Sequence, residues 1–122
     1  MIEIKDLTVR FGGVTPLDHM TIDFGDGTNG LIGPNGAGKT TFFNVLSGFV
    51  RPAEGSVTAF GEDLLTMAHF RRARWGVRRT FQTEQAIEEL SIYDNVAMVD
   101  EHSSKQRAGD RRAAVLSAIE FV

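Results

Sequence analysis

One run of eight residues, Gly33–Thr40, limits what this chain can fold into more than any other feature of its sequence. It fits the pattern G-x-x-x-x-G-K-[ST], in which glycines allow backbone angles and close approaches that a side chain would block. Successive N–H groups of such a loop bind phosphate oxygens, helped by the positive end of the following helix. Lys39 would add a positive charge at the outer phosphates, and the Thr40 hydroxyl would bind Mg²⁺. The run therefore predicts a phosphate-binding loop.

The segments on either side of the loop predict an α/β fold. The first 25 residues carry apolar residues spaced by charges and a Gly12-Gly13 turn, which is typical of an antiparallel β unit. Gly30–Gly33 is a short apolar run typical of a buried strand. Thr40–Leu46 predicts a helix that ends at Ser47-Gly48.

Further elements are predicted along the rest of the chain from periodicity and capping residues. They are a short strand at Val57–Phe60, a helix over Leu64–Trp75, a short strand at Val77–Gln82, a helix capped by Ser91 and Asp94, a polar loop over His102–Asp110 and a last helix from Asp110 onward.

The composition excludes several classes of protein. With 13 Lys and Arg against 16 Asp and Glu, the formal net charge is −3, which argues against nonspecific binding of nucleic acid. The absence of cysteine excludes disulfide scaffolds and thiol catalysis, and the three histidines lie far apart without metal-ligand spacing. No apolar run approaches the ~20 residues of a membrane span. The charged start MIEIKD lacks the apolar core of a secretory signal, so we expect a cytoplasmic protein.

A resemblance to a known family rests on the loop together with its flanking segments. These segments are LIGPNGAGKTTFFNVLSGFVRPAEGSV (Leu31–Val57), VRRTFQ (Val77–Gln82) and RFGG, which contains Phe11. The chain resembles the ATP-binding subunit of ABC transporters. The combination of RFGG, GPNGAGKTT, SGF-x-RP and RTFQ is most similar to the cytoplasmic ATPases of branched-chain amino-acid importers. The likeness covers residues 1 to about 100 well and the remainder more loosely.

The resemblance implies an α/β P-loop NTPase fold of the ABC ATPase type, of which this chain would hold the N-terminal half. Residues 1–30 would form an antiparallel β subdomain, residues 31–83 the core from the P-loop to the Q-loop, and residues 84–122 the start of the helical subdomain. We expect an incomplete domain, because the parallel sheet beside the loop would lack its neighbouring strands.

The resemblance also implies roles for individual residues. Phe11 would stack on the adenine ring of ATP. Gln82 would reach the Mg²⁺ ion and the attacking water, so Thr40 and Gln82 are the expected metal ligands and Lys39 and Gln82 the expected catalytic residues. The triphosphate would be held by seven consecutive residues, namely Asn35, Gly36, Ala37, Gly38, Lys39, Thr40 and Thr41.

The expected partners follow from the same resemblance. They are ATP, a second ATPase subunit (identical or different) and the membrane subunits of a transporter, on the inner face of the plasma membrane, with no nucleic acid. No LSGGQ-type signature and no switch histidine occur in the 122 residues, and the LSGF at Leu46–Phe49 is not that signature. We therefore expect this chain alone to bind nucleotide weakly and to hydrolyse it negligibly.

Two alternatives remain open from the sequence. In Val96–Glu101, four apolar residues precede Asp100 and Glu101, as in a Walker B strand. At the end of a buried strand, Asp100 would bind Mg²⁺ through water and Glu101 would polarise the nucleophile, which would make the chain a small independent P-loop NTPase. A helix over the same residues is the competing interpretation. The second alternative is a nonhydrolytic nucleotide-binding fragment without a transport role.

A group of arginines lies in the second half of the helix predicted over Leu64–Trp75 and just beyond it. We expect a solvated helix face there, with contact to an acidic partner or to the nucleotide as the alternative. The group consists of Arg71, Arg72, Arg74, Arg78 and Arg79.

Overall fold

The computed structural model describes residues 1–81, 86–103 and 108–121. The chain divides into two compact units, Met1–Arg78 and Arg79–Val122. The first unit is built on a four-stranded sheet, and the second contains a pair of helices. Within the described ranges, no helix combines the length and the apolar character needed to cross a membrane.

An antiparallel sheet is the frame of the first unit. Strands β1 (Ile2–Phe11) and β2 (Val14–Phe24) form a hairpin closed by a pair of glycines. Strand β3 (Glu54–Ala59) pairs with the other side of β1, and the two-residue β4 (Glu62–Asp63) completes the order β2-β1-β3-β4. The antiparallel unit predicted for the first 25 residues is confirmed, and the strand predicted around Val57 joins the same sheet.

The core of the first unit lies between this sheet and helix α1 (Lys39–Ser47), which confirms the helix predicted after the loop. Phe42 and Val45 of α1 are buried, and the Phe42 ring centroid lies 5.8 Å from that of Phe24. Burial of these apolar side chains fixes α1 on the sheet, and with it the segment that precedes α1. The core consists of Ile4, Leu7, Val9, Leu17, Phe42, Val45, Val57, Ala59 and Leu64.

Two predicted strands near the loop are not formed. Gly30–Gly33 and the described part of Val77–Gln82 have no strand conformation, and Ile32 is 96% exposed. A buried parallel strand needs a neighbouring strand to satisfy its N–H and C=O groups. In the described part of the chain, the sheet offers these two segments no such neighbour. These two strand predictions are therefore wrong, because an apolar pattern does not show whether a partner strand is present for a ladder.

The helix predicted over Leu64–Trp75 is interrupted. Leu64–Thr66 forms a 3₁₀ turn, and helix α2 comprises only His69–Trp75. The Asp63 carboxylate accepts a hydrogen bond from a backbone N–H of the turn at 2.8 Å, and the Thr66 hydroxyl donates to the Asp63 carbonyl oxygen at 2.9 Å. Such local bonds compete with the helical ladder, so the chain stays extended for two residues before α2.

The turn between β3 and β4 holds an aromatic residue in a left-handed backbone conformation. Phe60 has a φ of +50° and is 71% exposed, and Gly61 follows with a φ of +86°. The Phe60 ring centroid lies 6.1 Å from that of Trp75. Left-handed φ costs an L residue roughly 1–2 kcal/mol, and asparagine tolerates it better than most.

We expect Phe60→Asn to raise the free energy of unfolding by about 0.5–1 kcal/mol, because two positive φ values in a two-residue hairpin turn favour Asn-Gly. Denaturant unfolding measures the change. Phe70→Asn is the control, since Phe70 is 51% exposed but lies in helix α2, and it should not stabilise the protein. A loss of stability in Phe60→Asn would show that the contact with Trp75 outweighs the backbone strain.

Two helices, α3 (Ile92–Ser103) and α4 (Ala108–Glu120), pack on each other in the second unit, where Val115 is buried. The predicted cap at the start of α3 is confirmed. The Ser91 hydroxyl accepts a hydrogen bond from the Asp94 N–H at 3.1 Å and donates one to the Asp94 carboxylate at 2.6 Å. These bonds satisfy a backbone donor of the first turn that the helix itself cannot bond.

The apolar run that ends in Asp100 and Glu101 is helical. Val96–Glu101 lies inside α3 and is not the end of a buried strand. The helical interpretation is therefore confirmed, and the alternative of a small independent NTPase that uses these two carboxylates is wrong, because that role requires them at the end of a strand in a sheet. The polar loop predicted over His102–Asp110 is wrong at both ends, since α3 continues to Ser103 and α4 begins at Ala108, and residues 104–107 lie outside the described residues.

Candidate phosphate-binding site

The predicted phosphate loop leads directly into α1. The Ala37 N–H donates to the Pro34 carbonyl oxygen at 3.2 Å, which closes a tight turn. Gly36 and Gly38 have φ values of +85° and +80°, in the left-handed region that side chains disfavour. The loop therefore has the backbone course that the glycine spacing predicts.

Gly38 is fixed by contact with the sheet as well as by its backbone angle. A Cβ atom at Gly38 would overlap the carbonyl oxygen of Pro16 and lie 2.9 Å from Cδ2 of Leu17. Leu17 belongs to the core and is paired with Val9 of β1. The start of α1 therefore packs so closely on β2 that no side chain fits at position 38.

The N-terminus of α1 carries the partial positive charge of a helix start, and no acidic side chain of the first turn neutralises it. The Phe42 N–H bonds to the Gly38 carbonyl oxygen at 2.8 Å, which begins the helical ladder. In the described structure no side chain caps this terminus, and the first turn contains no acidic residue. The N–H groups that precede the ladder have no helical acceptor, so the terminus favours an anion. Thr40 is exposed there, and Thr41 is half-buried.

The Lys39 side chain folds back over the loop. Its Nζ donates to the carbonyl oxygens of Gly33 at 2.5 Å and Pro34 at 2.6 Å. The amine therefore lies over the loop that the glycines form. A Lys ammonium has three donors, so it can contact a phosphate oxygen from this position while keeping a bond to the loop.

The predicted metal ligands are only partly described. Thr40 presents an exposed hydroxyl at the helix start, a type of oxygen ligand compatible with Mg²⁺ beside phosphate oxygens and water. Gln82, predicted as metal ligand and catalytic residue, lies outside the described residues. In the ranges that are described, no group of three or more acidic or histidine side chains is placed to hold a metal ion.

The register of the β1–β2 hairpin places Phe11 at the end of the sheet that contacts the start of α1. Phe11 ends β1, pairs with Val14 across the hairpin and is 52% exposed. Val9, two residues earlier, pairs with Leu17, which is the residue in contact with Gly38. Because two strand residues span about 7 Å, the exposed Phe11 ring belongs to the same end of the sheet as the start of α1.

Arg72 is the residue of this region whose role the sequence pattern did not predict. It is 5% exposed, and its guanidinium donates to the carbonyl oxygens of Val45 at 2.6 Å, Leu46 at 3.1 Å and Met67 at 2.9 Å. Burial lowers the pKa of Arg72, and the negative charge of Asp63 opposes that shift. Arg72 thus stabilises the negative end of α1, opposite the loop.

The expectation of a solvated arginine face is wrong for Arg72, whereas Arg71, Arg74 and Arg78 are exposed as predicted. Arg79 is only half-buried, and its Cζ lies 5.2 Å from the centroid of the Phe81 ring.

One pattern in the sequence could have indicated that Arg72 is buried. Arg72 follows Ala68 and the buried Leu64 at intervals of four residues, which would place all three on one face of a continuous helix. That signal is weak, because the intervening extended residues break the helical register.

Comparisons with known proteins agree with this geometry. A sequence model of the ABC transporter family matches residues 17–121. BraF of Pseudomonas aeruginosa, a high-affinity branched-chain amino acid transport ATP-binding protein, is 37% identical over 103 residues, which are 84% of this chain and 40% of BraF. LivG of Escherichia coli, which has the same description, is 33% identical over 106 residues, 86% of this chain and 42% of LivG. The chain therefore spans about two fifths of the length of these curated relatives.

Solved cassettes share the fold. The ADP conformation of MJ1267, an ATP-binding cassette of an ABC transporter, matches with a TM-score of 0.72 and 29% identity over 91% of this chain and 44% of that one. The dimeric cassette MJ0796 bound to ADP and Pi matches with a TM-score of 0.77 over 98% of this chain and 56% of that one, at 20% identity, which concerns the fold alone. With a family match over most of its length, this chain belongs to the ABC transporter family.

Proposed function

We propose that the chain binds the triphosphate of ATP together with Mg²⁺ through Asn35–Thr41. The observation that carries this proposal is the junction of Gly38 and Lys39. The left-handed Gly38 lets the uncapped start of α1 lie in close contact with β2. The Lys39 ammonium lies over the same loop. Backbone N–H groups and a lysine charge converge on one small region there, which suits a phosphate chain.

Magnesium would be held by the Thr40 hydroxyl, with Gln82 as the proposed second protein ligand. When bound, the ion neutralises charge on the outer phosphates. Phe11 is proposed to stack on the adenine ring, because its exposed ring belongs to the end of the sheet where α1 starts. An aromatic face suits a purine because stacking buries apolar area on both partners.

The relatives support a place in a transporter. BraF and LivG are named for branched-chain amino acid transport, so the proposed role is the ATP-binding portion of an ATPase that powers import of such amino acids. MJ0796 is described as a dimer, which supports a second ATPase subunit as a partner. Transporter membrane subunits on the inner face of the plasma membrane are the other proposed partners, and the negative net charge speaks against nucleic acid.

Binding without turnover is the proposed behaviour of these 122 residues by themselves. They contain no LSGGQ signature, and they span about two fifths of the relatives' length. Steady ATP hydrolysis by the purified chain, abolished by Lys39→Ala, would contradict this part of the proposal.

Calorimetric titration with Mg-ATP tests the binding itself. We expect Lys39→Ala to weaken the affinity about tenfold or more, because it removes one charge-assisted contact to phosphate. Lys5→Ala is the matched control, since Lys5 is an exposed lysine of β1 that pairs only with Glu3, at 3.4 Å, among its described ionic contacts. Equal affinities of the wild type and Lys39→Ala would contradict the proposed site.

A further inference from the structure

One exposed surface of the first unit combines aromatic rings with arginines. Two segments form it, the two-residue turn between β3 and β4 and the solvent side of α2. The Phe60 ring of the turn and the Trp75 ring of α2 have centroids 6.1 Å apart, which joins the two segments. We call this the aromatic–arginine surface, and it consists of Phe60, Phe70, Arg71, Arg74 and Trp75.

The spacing along α2 places the two arginines between aromatic rings. Arg71 lies four residues before Trp75, and Phe70 lies four residues before Arg74, so each pair shares a side of the helix. At about 100° per residue, one continuous arc around the helix contains in order Trp75, Arg71, Arg74 and Phe70. The buried Arg72 lies outside this arc, whose members are all exposed.

Phe60 is an unfavourable residue for the free protein at its position in the turn. Its side chain is 71% exposed, and its backbone has a left-handed φ of +50° that asparagine would adopt at lower cost. Apart from the contact with Trp75, the ring gains little by staying in water. Strained backbone is concentrated at sites that have a function. The turn therefore presents an apolar ring that a binding partner would bury.

The aromatic–arginine surface is positively charged within an acidic protein. The formal net charge is −3, yet the sequence contains no acidic residue between Asp63 and Glu84. In the described part of the chain, neither Arg71 nor Arg74 forms a salt bridge. The Asp63 carboxylate accepts a hydrogen bond within the 3₁₀ turn, which leaves the exposed Glu62 as the nearest acidic residue in sequence that competes with the two arginines. Charge complementarity thus favours an anionic partner.

The surface of a bilayer with anionic lipids suits both components. Guanidinium groups bind phosphates through paired N–H donors, and aromatic rings are favoured at the boundary between headgroups and acyl chains. An acidic protein segment would supply charge as well, but such segments are usually seated in a groove of the protein that binds them. Phe60 instead lies at the tip of a hairpin, where the ring is itself the part that can be inserted.

We propose that the aromatic–arginine surface contacts anionic phospholipid directly, with Phe60 and Trp75 in the headgroup region and Arg71 and Arg74 on lipid phosphates. Two charges and two rings give a weak and reversible attachment. The contact goes beyond the proposed function, because it shares none of the residues assigned to ATP and requires no transporter membrane subunit.

The fluorescence of Trp75 tests the proposal directly, since it is the only tryptophan of the chain. The whole chain is titrated with phosphatidylcholine vesicles that contain about 30% phosphatidylglycerol, at about 0.1 M salt. We expect a saturable blue shift of the emission and protection from quenching by acrylamide. Vesicles of phosphatidylcholine alone should bind at least about tenfold more weakly, because they lack the attraction for the two arginines.

Charge variants assign the binding to this surface. Arg71→Gln and Arg74→Gln should each weaken the partition to anionic vesicles about fivefold. Arg10→Gln is the matched control, since it removes the same charge from an exposed position. Ile2 pairs with Ala59, the residue before Phe60, so Arg10 lies toward the opposite end of β1, and its variant should bind as the wild type does.

Phe60→Asn separates membrane contact from folding, because it is expected to stabilise the fold while removing the inserted ring. It should weaken the partition at least about fivefold and leave the affinity for Mg-ATP unchanged. The proposal is overturned if anionic vesicles leave the Trp75 emission unchanged, if phosphatidylcholine alone binds equally, or if Arg10→Gln weakens binding as much as Arg71→Gln does. It is also overturned if Phe60→Asn binds as the wild type does. If polyglutamate without vesicles shifts the emission equally, the surface belongs to an acidic protein partner instead.

Discussion

Replacing Arg72 with methionine is expected to lower the free energy of unfolding by about 3 kcal/mol. The guanidinium donates to three backbone carbonyl oxygens, and a methionine, which replaces only the aliphatic part of the arginine side chain, would donate to none of them. Val45 O keeps a bond from the Gly48 N–H at 3.0 Å, so the largest loss concerns the carbonyls of Leu46 and Met67. Each buried acceptor left without a donor costs roughly 1–3 kcal/mol.

Urea denaturation of Arg72→Met measures this loss, with Arg71→Met as the matched control. Arg71 is the preceding residue of the same helix and is exposed, so its replacement should change stability by no more than about 0.5 kcal/mol. Arg72→Lys should fall between the two, because an ammonium cannot bond three carbonyls in the planar geometry of guanidinium. Equal stability of Arg72→Met and Arg71→Met would contradict the structural role assigned to Arg72.

The phosphate loop and its helix were predictable because their information is local. The spacing of Gly33, Gly38 and Lys39 specifies a backbone course and a charge within eight residues of sequence. The Ser91 cap and the β1–β2 hairpin were predictable for the same reason, since each is decided by neighbours in sequence.

The missed features depend on partners far away in sequence. Arg72 bonds carbonyls 26 and 27 residues earlier, and no pattern within α2 distinguishes it from its exposed neighbours. The strand predicted at Gly30–Gly33 fails for a related reason, since a ladder requires a second strand that periodicity cannot reveal. The Val96–Glu101 run illustrates the ambiguity of short apolar segments, because four apolar residues suit a buried strand and a helix equally.

The contact between the phosphate loop and β2 is expected to make Gly38 the most sensitive glycine of the loop. Gly38→Ala should lower the free energy of unfolding by about 3 kcal/mol, because the new Cβ meets the Pro16 carbonyl and the backbone must hold a left-handed φ. The clash is with backbone on the β2 side, so relief requires the start of α1 to move off the sheet. Affinity for Mg-ATP should fall with it, since the helix start carries the phosphate-binding N–H groups.

Gly36→Ala separates the effect of the clash from that of the backbone angle. Gly36 has nearly the same φ as Gly38, +85° against +80°, but a Cβ there meets nothing within 4 Å. It should cost only about 1 kcal/mol, the left-handed penalty reduced by the lower entropy of the unfolded chain. The difference of about 2 kcal/mol between the two variants in denaturant unfolding therefore measures the contact with Pro16 and Leu17. Equal losses in both variants would mean that α1 can move away from β2 without cost, and that the position of the phosphate loop does not depend on this contact.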